Sequence, residues 1–246
     1  MKKKILVFSG AGISKESGID TFRDSGGLWN NYDVMKVAHI DAWKKDPQTV
    51  IDFYNFRRKD MGSVKPNKAH KILAELEKYF DVTIATQNVD PLHEMAGSTN
   101  VIHLHGEITK LRSEKDPNLV VEWKEELKLG QLADDGEQLR PDIVWFGEEL
   151  NYDRVNKAMD AAKNADVCII VGTSMQVAPA NQIPFLIPET ALIYYVDPGD
   201  KDFYLPKMRE FFFYHIQKNA TEGMQELKKD LFSTFKIKKE CIILNH

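Results

Sequence analysis

Three polar side chains that could hold a sugar follow an apolar run in the first half of the chain. Gln87, Asn88 and Asp90 come shortly after residues 81–85, which are mostly apolar or β-branched. Ligands of open α/β sheets bind beyond the carboxyl ends of the strands. Two amides and a carboxylate at such a position can bind ribose hydroxyls and a carboxamide. The residue types and their position therefore predict a binding pocket at one edge of a sheet.

A histidine ends the next apolar run. His105 closes the run that begins at residue 100, and Gly106 after it leaves room for a ligand. A lone histidine is more often a hydrogen-bonded core residue, but its place at a strand end favours a functional one. With an ordinary pKa near 6.5, imidazole suits a general base at neutral pH. His103 alternates to the other face and is interpreted as structural, whereas His93 is expected to support the neighbouring loop.

A glycine-rich segment follows the first apolar run. Gly10 and Gly12 would let the backbone approach a pyrophosphate, and a following helix would offer the N–H groups of its N-terminus. The spacing is not GxGxxG, because the next glycine is Gly18, so a tight turn without a ligand stays an alternative. Arg23, in a loop beside Phe22, could hold a phosphate or close over a ribose.

Hydrophobic patterning predicts the elements that must position these residues. Short apolar runs typical of buried parallel strands lie at residues 4–8, 81–85, 100–104, 166–171 and 191–196. Helical periodicity is found at residues 46–61, 67–79, 152–164 and 221–232. Asp46 and Pro47 form a favourable N-cap and N1 pair for the first of these helices. The alternation predicts an α/β fold with a Rossmann-like, doubly wound parallel sheet.

Two stretches interrupt that alternation. Residues 30–80 are mostly helical without a strand, and residues 109–140 are polar with several turn-forming positions. We expect these stretches to form a small, mainly helical second module. The ligand-binding sheet domain is then formed by residues 1–29, 81–108 and 141–246.

Composition argues against several classes of protein. The 246 residues carry a formal net charge of −4, whereas a nucleic-acid-binding surface needs clustered Lys and Arg. No apolar run reaches the roughly 18–20 residues that cross a bilayer, and the run after the N-terminal lysines is too short for a signal peptide. Cys168 and Cys241 form no CxxC motif, as is typical of a reduced, cytoplasmic protein. We expect no nucleic-acid or membrane partner, and the sequence leaves the oligomeric state open.

Five motifs carry a resemblance to a known family. They are GAGxSxxSGIPxFR with GLW, TQNIDxLHxxAG, HG, RPxVVxFGE and GTSxxVxP, matched at residues 10–29, 86–97, 105–106, 140–148 and 172–179. In the first motif Asp20 stands where most members carry proline. The motifs occur in the order of the sirtuin family, and the chain resembles a sirtuin over nearly its full length.

The resemblance implies an enzyme that consumes NAD⁺ while it removes acyl groups from lysine side chains of proteins. In the implied reaction the acyl oxygen attacks the ribose carbon as nicotinamide leaves, and the products are free lysine and O-acyl-ADP-ribose. His105 is implied as the general base, with Asn88 as a second catalytic residue. Asp197 stands where the family usually has asparagine and could accept from both ribose hydroxyls. The residues implied to bind NAD⁺ are Gly10, Ala11, Gly12, Ser14, Phe22, Arg23, Trp29, Gln87, Asn88, Val89, Asp90, Gly172, Thr173, Ser174, Val196, Asp197 and Ala220.

A further segment is implied to bind the backbone of the substrate. Sirtuins add the substrate to a strand-like edge by β-augmentation. From the residues alone, a buried edge strand is an equally good interpretation. The segment consists of Val144, Trp145, Phe146 and Gly147.

Tyr54 and Arg57 could select the acyl group. Their i, i+3 spacing places them on one face of a predicted helix, where a phenol and a guanidinium can bind a carboxylate. Spacing alone favours a solvated face with an ordinary arginine pair, Arg57 and Arg58. The surrounding DPxxVxxFYxxRR is similar to class III sirtuins, whose pair recognises succinyl-, malonyl- or glutaryl-lysine. Ala38 matches the small residue that widens their acyl pocket, although the two residues after it depart from the usual Thr-Pro.

Most sirtuins carry two CxxC pairs that bind a structural zinc ion. Residues 109–140 contain no cysteine and no histidine, and a tetrahedral zinc site of that kind needs four such ligands. We therefore expect no metal. The module is predicted to pack around Leu119, Val121, Trp123 and Leu127.

Two alternatives to a deacylase are kept. One is an NAD⁺ glycohydrolase or ADP-ribosyltransferase on the same scaffold, and the other is a non-catalytic NAD sensor. Asn88, Asp90 and His105 disfavour a sensor. The absence of GxGxxG disfavours a dehydrogenase.

Overall fold

The computed structural model describes residues 1–20, 33–200 and 212–237. Its strands are β1 Lys4–Ser9, β2 Asp81–Thr86, β3 Val101–His103, β4 Gly106–Ser113, β5 Val120–Glu122, β6 Leu139–Ile143, β7 Val167–Val171, β8 Leu192–Val196 and β9 Phe213–Ile216. Its helices are α1 Gly12–Lys15, α2 Val34–Val37, α3 Ile40–Lys45, α4 Pro47–Met61, α5 Lys68–Leu76, α6 Leu92–Met95, α7 Tyr152–Lys163 and α8 Ala220–Thr234, with a 3₁₀ helix at Ala180–Leu186.

The main sheet has six parallel strands in the order β3-β2-β1-β7-β8-β9. The chain runs outward in one direction from β1 and in the other from β7, so the order reverses between these two strands. In the register of the sheet Ser9 pairs with Thr86 on one side and with Val171 on the other. Three strands therefore end at the same level, at the switch point of the sheet, and open α/β sheets bind their ligands in a crevice at this position.

Helices cover both faces of this sheet, as the prediction of a doubly wound fold requires. On one face α5 and α8 bury Leu73 and Leu227 against Val7. On the other face Ala158 of α7 and Ile183 of the 3₁₀ helix belong to one core cluster with residues of β1 and β7. The predicted α/β fold with a Rossmann-like sheet is confirmed.

The helix starts follow their capping residues. The Asp46 side chain accepts from the Thr49 N–H at 3.2 Å, with Pro47 at the first helical position of α4. Asn67 accepts from Ala69 N–H at 2.9 Å at the start of α5. Such caps satisfy N–H groups that have no partner within the helix, which explains why the predicted helix starts agree with the structure.

Helix α5 differs from the predicted division of the chain. Residues 30–80 were expected in the small module, but the apolar positions of α5 pack into the core of the six-stranded sheet. The apolar face of α5 recurs at Ala69, Ile72, Leu73 and Leu76. Such a face can cover a sheet or pack in a helical module equally well, so patterning alone could not assign it.

The small module contains an antiparallel sheet that patterning did not predict. Its strand order is β5-β4-β6. The register of β4 against β6 shifts between Glu107 and Leu111, which breaks the alternation of buried and exposed residues. Lys110 and Arg112 also make the strand look like a polar loop. The expectation of a mainly helical module was therefore wrong for residues 109–140.

The last strand of the main sheet was also missed. β9 lies at the sheet edge, beside β8, and only Ile216 among its four residues is buried. An edge strand with a half-solvated surface lacks the continuous apolar run that marks a central parallel strand.

Part of the predicted packing of the module is present. Leu127 is 2% exposed and belongs to a core cluster with Trp43 of α3 and Leu111 of β4. Val121 and Trp123 pack against this cluster while remaining partly exposed. Leu119 is half-buried, and its N–H donates to the Asp116 carbonyl at 3.1 Å within a turn.

Polar contacts from α4 also hold the module. Asn55 binds the backbone of Leu127 twice, donating to its carbonyl at 2.8 Å and accepting from its N–H at 2.9 Å. Arg58 donates to the Ile108 carbonyl at 2.9 Å and to the Asn55 side chain at 2.9 Å. Within the described ranges no group of three or more His, Cys, Asp or Glu side chains could hold a metal ion. Apolar packing and this clamp connect the module to α4.

The Asn55 clamp leads to a stability prediction. Asn55→Ala leaves both backbone groups of Leu127 without their partner, which should cost about 2 kcal/mol of unfolding free energy and lower Tm by roughly 4–8 °C. Gln48→Ala on the same helix is the control, because Gln48 is exposed and its side chain donates to Asp52 of the same helix at 2.8 Å. Thermal unfolding of both variants checks this. Equal Tm values for the two would contradict the clamp.

No helix in the part of the chain that the structure describes is long and apolar enough to cross a membrane. The cytoplasmic setting stays a prediction from the sequence.

Candidate active site

The two loops at the crevice touch each other through glycines. Gly10 N–H donates to the Val171 carbonyl at 3.1 Å, and Gly12 N–H donates to the Gly172 carbonyl at 2.8 Å. A Cβ added at Gly12 would lie 2.8 Å from the Gly172 Cα, and one at Gly10 would lie 2.7 Å from the Thr173 Cβ. The glycines are therefore required for the contact between the loops, a role that the sequence interpretation did not include.

The side-chain amide of Gln87 carries a hydrogen-bond donor that no described residue accepts. Thr173 Oγ1 donates to Gln87 Oε1 at 2.9 Å, which fixes the orientation of the amide. The Gln87 Nε2 is buried and has no partner within the described residues. A buried donor without an acceptor costs about 1–3 kcal/mol. A ligand that brings a hydroxyl or carbonyl oxygen to this position would remove that cost.

Asn88, Asp90 and Ser14 meet between the loops after β1 and β2. The Ser14 hydroxyl donates to Asp90 Oδ2 at 3.0 Å, and Asn88 Nδ2 donates to Ser14 Oγ at 3.1 Å. The N–H of Leu92 donates to Asp90 Oδ1 at 3.2 Å. Burial raises the pKa of Asp90, and these hydrogen bonds oppose the rise. The structure thus brings together three of the predicted site residues in one buried polar cluster.

His105 has a defined tautomer. Its Nδ1 lies 2.9 Å from the Gln87 carbonyl oxygen, and a carbonyl can only accept, so Nδ1 carries the proton. The Nε2 atom is then left with a lone pair. Burial lowers the pKa of His105, while the bond to Gln87 opposes the shift. At neutral pH the ring is therefore neutral, and Nε2 can accept a proton.

The His103 ring lies between Asn88 and Glu94 and is protonated on both nitrogens. Its Nδ1 lies 2.9 Å from the Asn88 carbonyl oxygen and its Nε2 lies 2.8 Å from Glu94 Oε1. Because both partners are acceptors, the ring must donate twice. Burial opposes its charge, but the hydrogen bond to Glu94 and the charge of that group raise the pKa of His103. Its bond to Asn88 fixes the backbone of the loop that carries the polar cluster.

The pair of His103 and Glu94 predicts a pH dependence of stability. Burial opposes ionisation of Glu94 as well, but His103 lowers the pKa of Glu94. The raised pKa of His103 gives stability that is present below about pH 6.5 and is lost as pH rises through the folded pKa. The lowered pKa of Glu94 gives stability that is present above about pH 4.3 and is lost as pH falls.

Both contributions are therefore present between about pH 4.3 and 6.5. We expect Glu94→Gln to lower the unfolding free energy by about 1 kcal/mol at pH 6, since Glu94 is 41% exposed and solvent weakens the pair. The loss should be smaller at pH 8. Urea unfolding at the two pH values measures it, and an equal or larger loss at pH 8 would contradict the assignment.

His70 and His93 form a buried pair behind the polar cluster. Their rings lie 5.0 Å apart, and each is completely buried. His93 Nε2 lies 3.0 Å from Ser9 Oγ, and His70 Nε2 lies 3.5 Å from Ser14 Oγ. Burial lowers the pKa of His70 to about 4 and the pKa of His93 well below its usual range. Both rings are neutral supports of the glycine-rich segment.

The sequence interpretation missed His70. It lies on the buried face of α5, two residues before Ile72. A histidine inside an apolar helical face was the available signal, since a buried imidazole needs a partner.

The predicted acyl-selecting residues lie on α4. Tyr54 is 5% exposed, and Arg57 is 8% exposed. Burial raises the pKa of Tyr54, whose oxygen accepts a hydrogen bond from Trp145 Nε1 at 2.9 Å. Burial lowers the pKa of Arg57. Both side chains are buried, so the solvated face that spacing alone favoured is excluded. Ala38 is also buried, in the same core cluster as Tyr54.

Arg58, the neighbour of Arg57, turns to the small module. It donates to the Ile108 carbonyl and to the Asn55 side chain, each at 2.9 Å. The two consecutive arginines therefore serve different parts of the molecule.

The segment of residues 144–147 lies between two neighbours. Val144 N–H donates to the His105 carbonyl at 2.9 Å, and Phe146 N–H donates to the Ala38 carbonyl at 2.9 Å. Phe146 is 47% exposed. A Cβ at Gly147, which has a φ of +83°, would lie 2.9 Å from Ile40 Cγ2. The segment therefore connects the backbone of His105 to the backbone of Ala38.

The predicted adenosine side is formed by the ends of β8 and α8. Val196 is buried, and the Asp197 side chain accepts from Gly199 N–H at 2.8 Å. Ala220 is 4% exposed at the start of α8. A Cβ at Gly223 would lie 2.3 Å from Val196 Cγ1, so the helix packs closely on the strand.

Other predicted residues surround the crevice. Ala11 precedes the first residue of α1, and both Ala11 and Ser174 are half-buried. The Val89 carbonyl accepts from the Ile108 N–H at 2.9 Å. The predicted residues Phe22, Arg23 and Trp29 lie outside the described residues.

Fold and geometry together define an α/β protein with a ligand crevice at the switch point of its sheet and a neutral histidine at the same strand ends. The family model described as Sir2 family matches residues 10–179. The chain belongs to the Sir2 family.

Known proteins similar to this chain agree with that assignment. An NAD-dependent protein deacylase of Helicobacter pylori strain J99 is 53% identical over 229 residues, which cover 93% of this chain and 95% of that protein. A mutant Sir2 homologue solved with ADP-ribose is 37% identical, with a TM-score of 0.85 and coverage of 96% of this chain and 95% of that one. A Sir2 mutant solved with a deacetylated p53 peptide and 3′-O-acetyl-ADP-ribose is 27% identical, with a TM-score of 0.75 and coverage of 93% and 94%.

This chain is therefore an NAD-dependent protein deacylase that acts on acyl-lysine in proteins, with NAD⁺ as its co-substrate. The residues present fit that dinucleotide. The open donor of Gln87 needs an oxygen acceptor, and the carboxamide and ribose of NAD⁺ both carry one.

Proposed function

We propose that this deacylase removes succinyl, malonyl and glutaryl groups from lysine as well as acetyl groups. The observation that carries the proposal is the burial of Tyr54 and Arg57, which lie three residues apart on α4. Ala38, which matches the small residue of class III acyl pockets, lies in the core cluster that contains Tyr54.

A buried arginine favours an acyl chain that carries charge. Arginine stays charged at neutral pH even when burial lowers its pKa, and Arg57 is largely removed from water. A carboxylate at the end of the acyl chain can accept two parallel hydrogen bonds from the guanidinium and one from the phenol of Tyr54. An acetyl group offers neither charge nor acceptor at that position.

For the reaction itself we propose His105 and Asn88 as catalytic residues. NAD⁺, when bound, supplies the ribose carbon that the acyl oxygen attacks. His105 takes a proton from a ribose hydroxyl through Nε2, which its bond to the Gln87 carbonyl leaves unprotonated. Asn88 and Asp90, held by Ser14, bind the nicotinamide end beside the open donor of Gln87.

The other predicted residues complete the two binding surfaces in this proposal. The glycine-rich segment, residues 172–174 and Asp197 hold the phosphates and the adenosine. Residues 144–147 bind the substrate backbone by β-augmentation, which agrees with the exposure of Phe146.

A panel of acyl peptides tests the proposed specificity. One peptide sequence is prepared with acetyl-, malonyl-, succinyl-, glutaryl- and butyryl-lysine, and kcat/KM is measured for each with saturating NAD⁺. Butyryl has as many carbons as succinyl and no carboxylate, so it separates the length of the chain from its charge. We expect succinyl to exceed butyryl by at least about tenfold. A protein that accepts butyryl as well as succinyl would overturn the proposal.

A further inference from the structure

The phenol oxygen of Tyr54 is already used as an acceptor. Trp145 Nε1 lies 2.9 Å from Tyr54 Oη, and both side chains are buried. The indole N–H can only donate, so the lone pairs of the phenol face Trp145. The proton of the phenol must therefore point away from the indole.

Trp145 is held rigidly in this position. The guanidinium of Arg140 lies 3.6 Å from the centre of its ring. Arg140 binds both oxygens of Glu148 at 2.7 Å, and Glu148 Oε2 accepts from the Trp145 N–H of the backbone at 2.9 Å. Trp43 packs against the Trp145 ring, with the ring centroids 5.5 Å apart. The direction of the indole N–H is thus fixed before any substrate binds.

We propose that Trp145 is a specificity-determining positioning residue, whose indole N–H directs the phenol proton of Tyr54 toward a carboxylate held by Arg57. The inference rests on the proposed function, because it concerns how the same pair selects an acidic acyl group. It adds a residue 91 positions away from Tyr54 that acts on the acyl group through Tyr54 alone.

Two physical effects make this contact selective. A phenol that accepts one hydrogen bond becomes a stronger donor in the next, by about 10–30% per bond. Burial also raises the pKa of Tyr54, so the phenol keeps the proton that it must donate. Acetyl-lysine has no acceptor for that proton, so it gains from neither effect.

The test compares two tryptophans in the same aromatic cluster. Trp145→Phe removes the N–H and keeps most of the ring. Trp43→Phe is the matched control, because Trp43 also contacts the Trp145 ring but donates its N–H to Glu114 at 3.0 Å. We measure kcat and KM for succinyl- and acetyl-lysine peptides. The ratio of succinyl to acetyl kcat/KM should fall about tenfold in Trp145→Phe, mainly through KM, and should not change in Trp43→Phe.

A double variant separates positioning from a general loss of packing. If Trp145 acts through Tyr54, adding Trp145→Phe to Tyr54→Phe should change the succinyl-to-acetyl ratio no further. A purely structural role would lower both activities of Trp145→Phe by the same factor and leave their ratio unchanged. An effect independent of Tyr54 would change the ratio further in the double variant. Either of those outcomes overturns the inference.

The same measurements distinguish this inference from the proposed function. Wild-type protein that removes succinyl groups while Trp145→Phe keeps its substrate ratio overturns the inference alone. Wild-type protein that removes acetyl but no succinyl groups overturns both.

Discussion

Arg57→Met is expected to lower kcat/KM for desuccinylation about 30–100 times more than kcat/KM for deacetylation. The carboxylate of a succinyl group would then enter a buried site without its charged partner, and loss of a charge-assisted hydrogen bond costs about 2–3 kcal/mol. Methionine keeps much of the volume of the side chain, so the effect reports charge rather than a cavity. Steady-state rates with the two acyl forms of one peptide measure it.

The adjacent arginine provides the control for this experiment. Arg58→Met removes the same charge from the same helix, but Arg58 binds the Ile108 carbonyl and Asn55. This variant should lower Tm while the ratio of desuccinylation to deacetylation stays close to that of the wild type. Equal losses on both substrates in Arg57→Met would refute its role in acyl selection.

His105→Ala is expected to lower kcat by about 10²–10⁴-fold with every acyl peptide, which is the usual contribution of a general base. The expectation follows from the geometry of the ring, whose Nδ1 proton is directed to the Gln87 carbonyl and whose Nε2 is left as an acceptor. NAD⁺ affinity, measured by calorimetry, should change little, because the loss concerns proton transfer. Unimpaired turnover in this variant would contradict the assignment.

The pH profile gives a second reading of His105. Because burial lowers its pKa, the wild-type kcat/KM should decrease only when the pH falls below about 6.5. The residual activity of His105→Ala should lack this acid limb. A limb that persists unchanged in the variant would belong to another group.

Much of the site was predictable because its residues stand at strand ends. β1, β2 and β7 are apolar runs, and parallel strands place their carboxyl ends at one edge. Asn88 and Asp90, which follow β2, accordingly lie beside Ser14, which follows β1. His105 follows β3 and binds the Gln87 carbonyl. The strand-end argument also explains the agreement on the first glycine loop, although it did not reveal that Gly10 and Gly12 are needed for contact with Gly172 and Thr173.

Contacts between distant residues account for what the sequence did not predict. Asn55 binds Leu127, and Tyr54 binds Trp145, across 72 and 91 positions. No local periodicity records such partners. The small sheet escaped notice for a related reason, because the alternation in β4 is hidden by charged side chains and a register shift.

The fate of the acyl group distinguishes a deacylase from an NAD⁺ glycohydrolase. If the acyl oxygen attacks the ribose, nicotinamide is released only together with deacylated peptide. A glycohydrolase would release nicotinamide by attack of water, with no need of the peptide.

The products of a single reaction, quantified by mass spectrometry, therefore show most directly whether nicotinamide release is coupled to removal of the acyl group. The protein is incubated with NAD⁺ and a succinyl-lysine peptide, and nicotinamide, free-lysine peptide and the ADP-ribose product are quantified together. We expect equal amounts of all three, with the product carrying the mass of O-succinyl-ADP-ribose. Nicotinamide and plain ADP-ribose formed while the peptide keeps its succinyl group would contradict it.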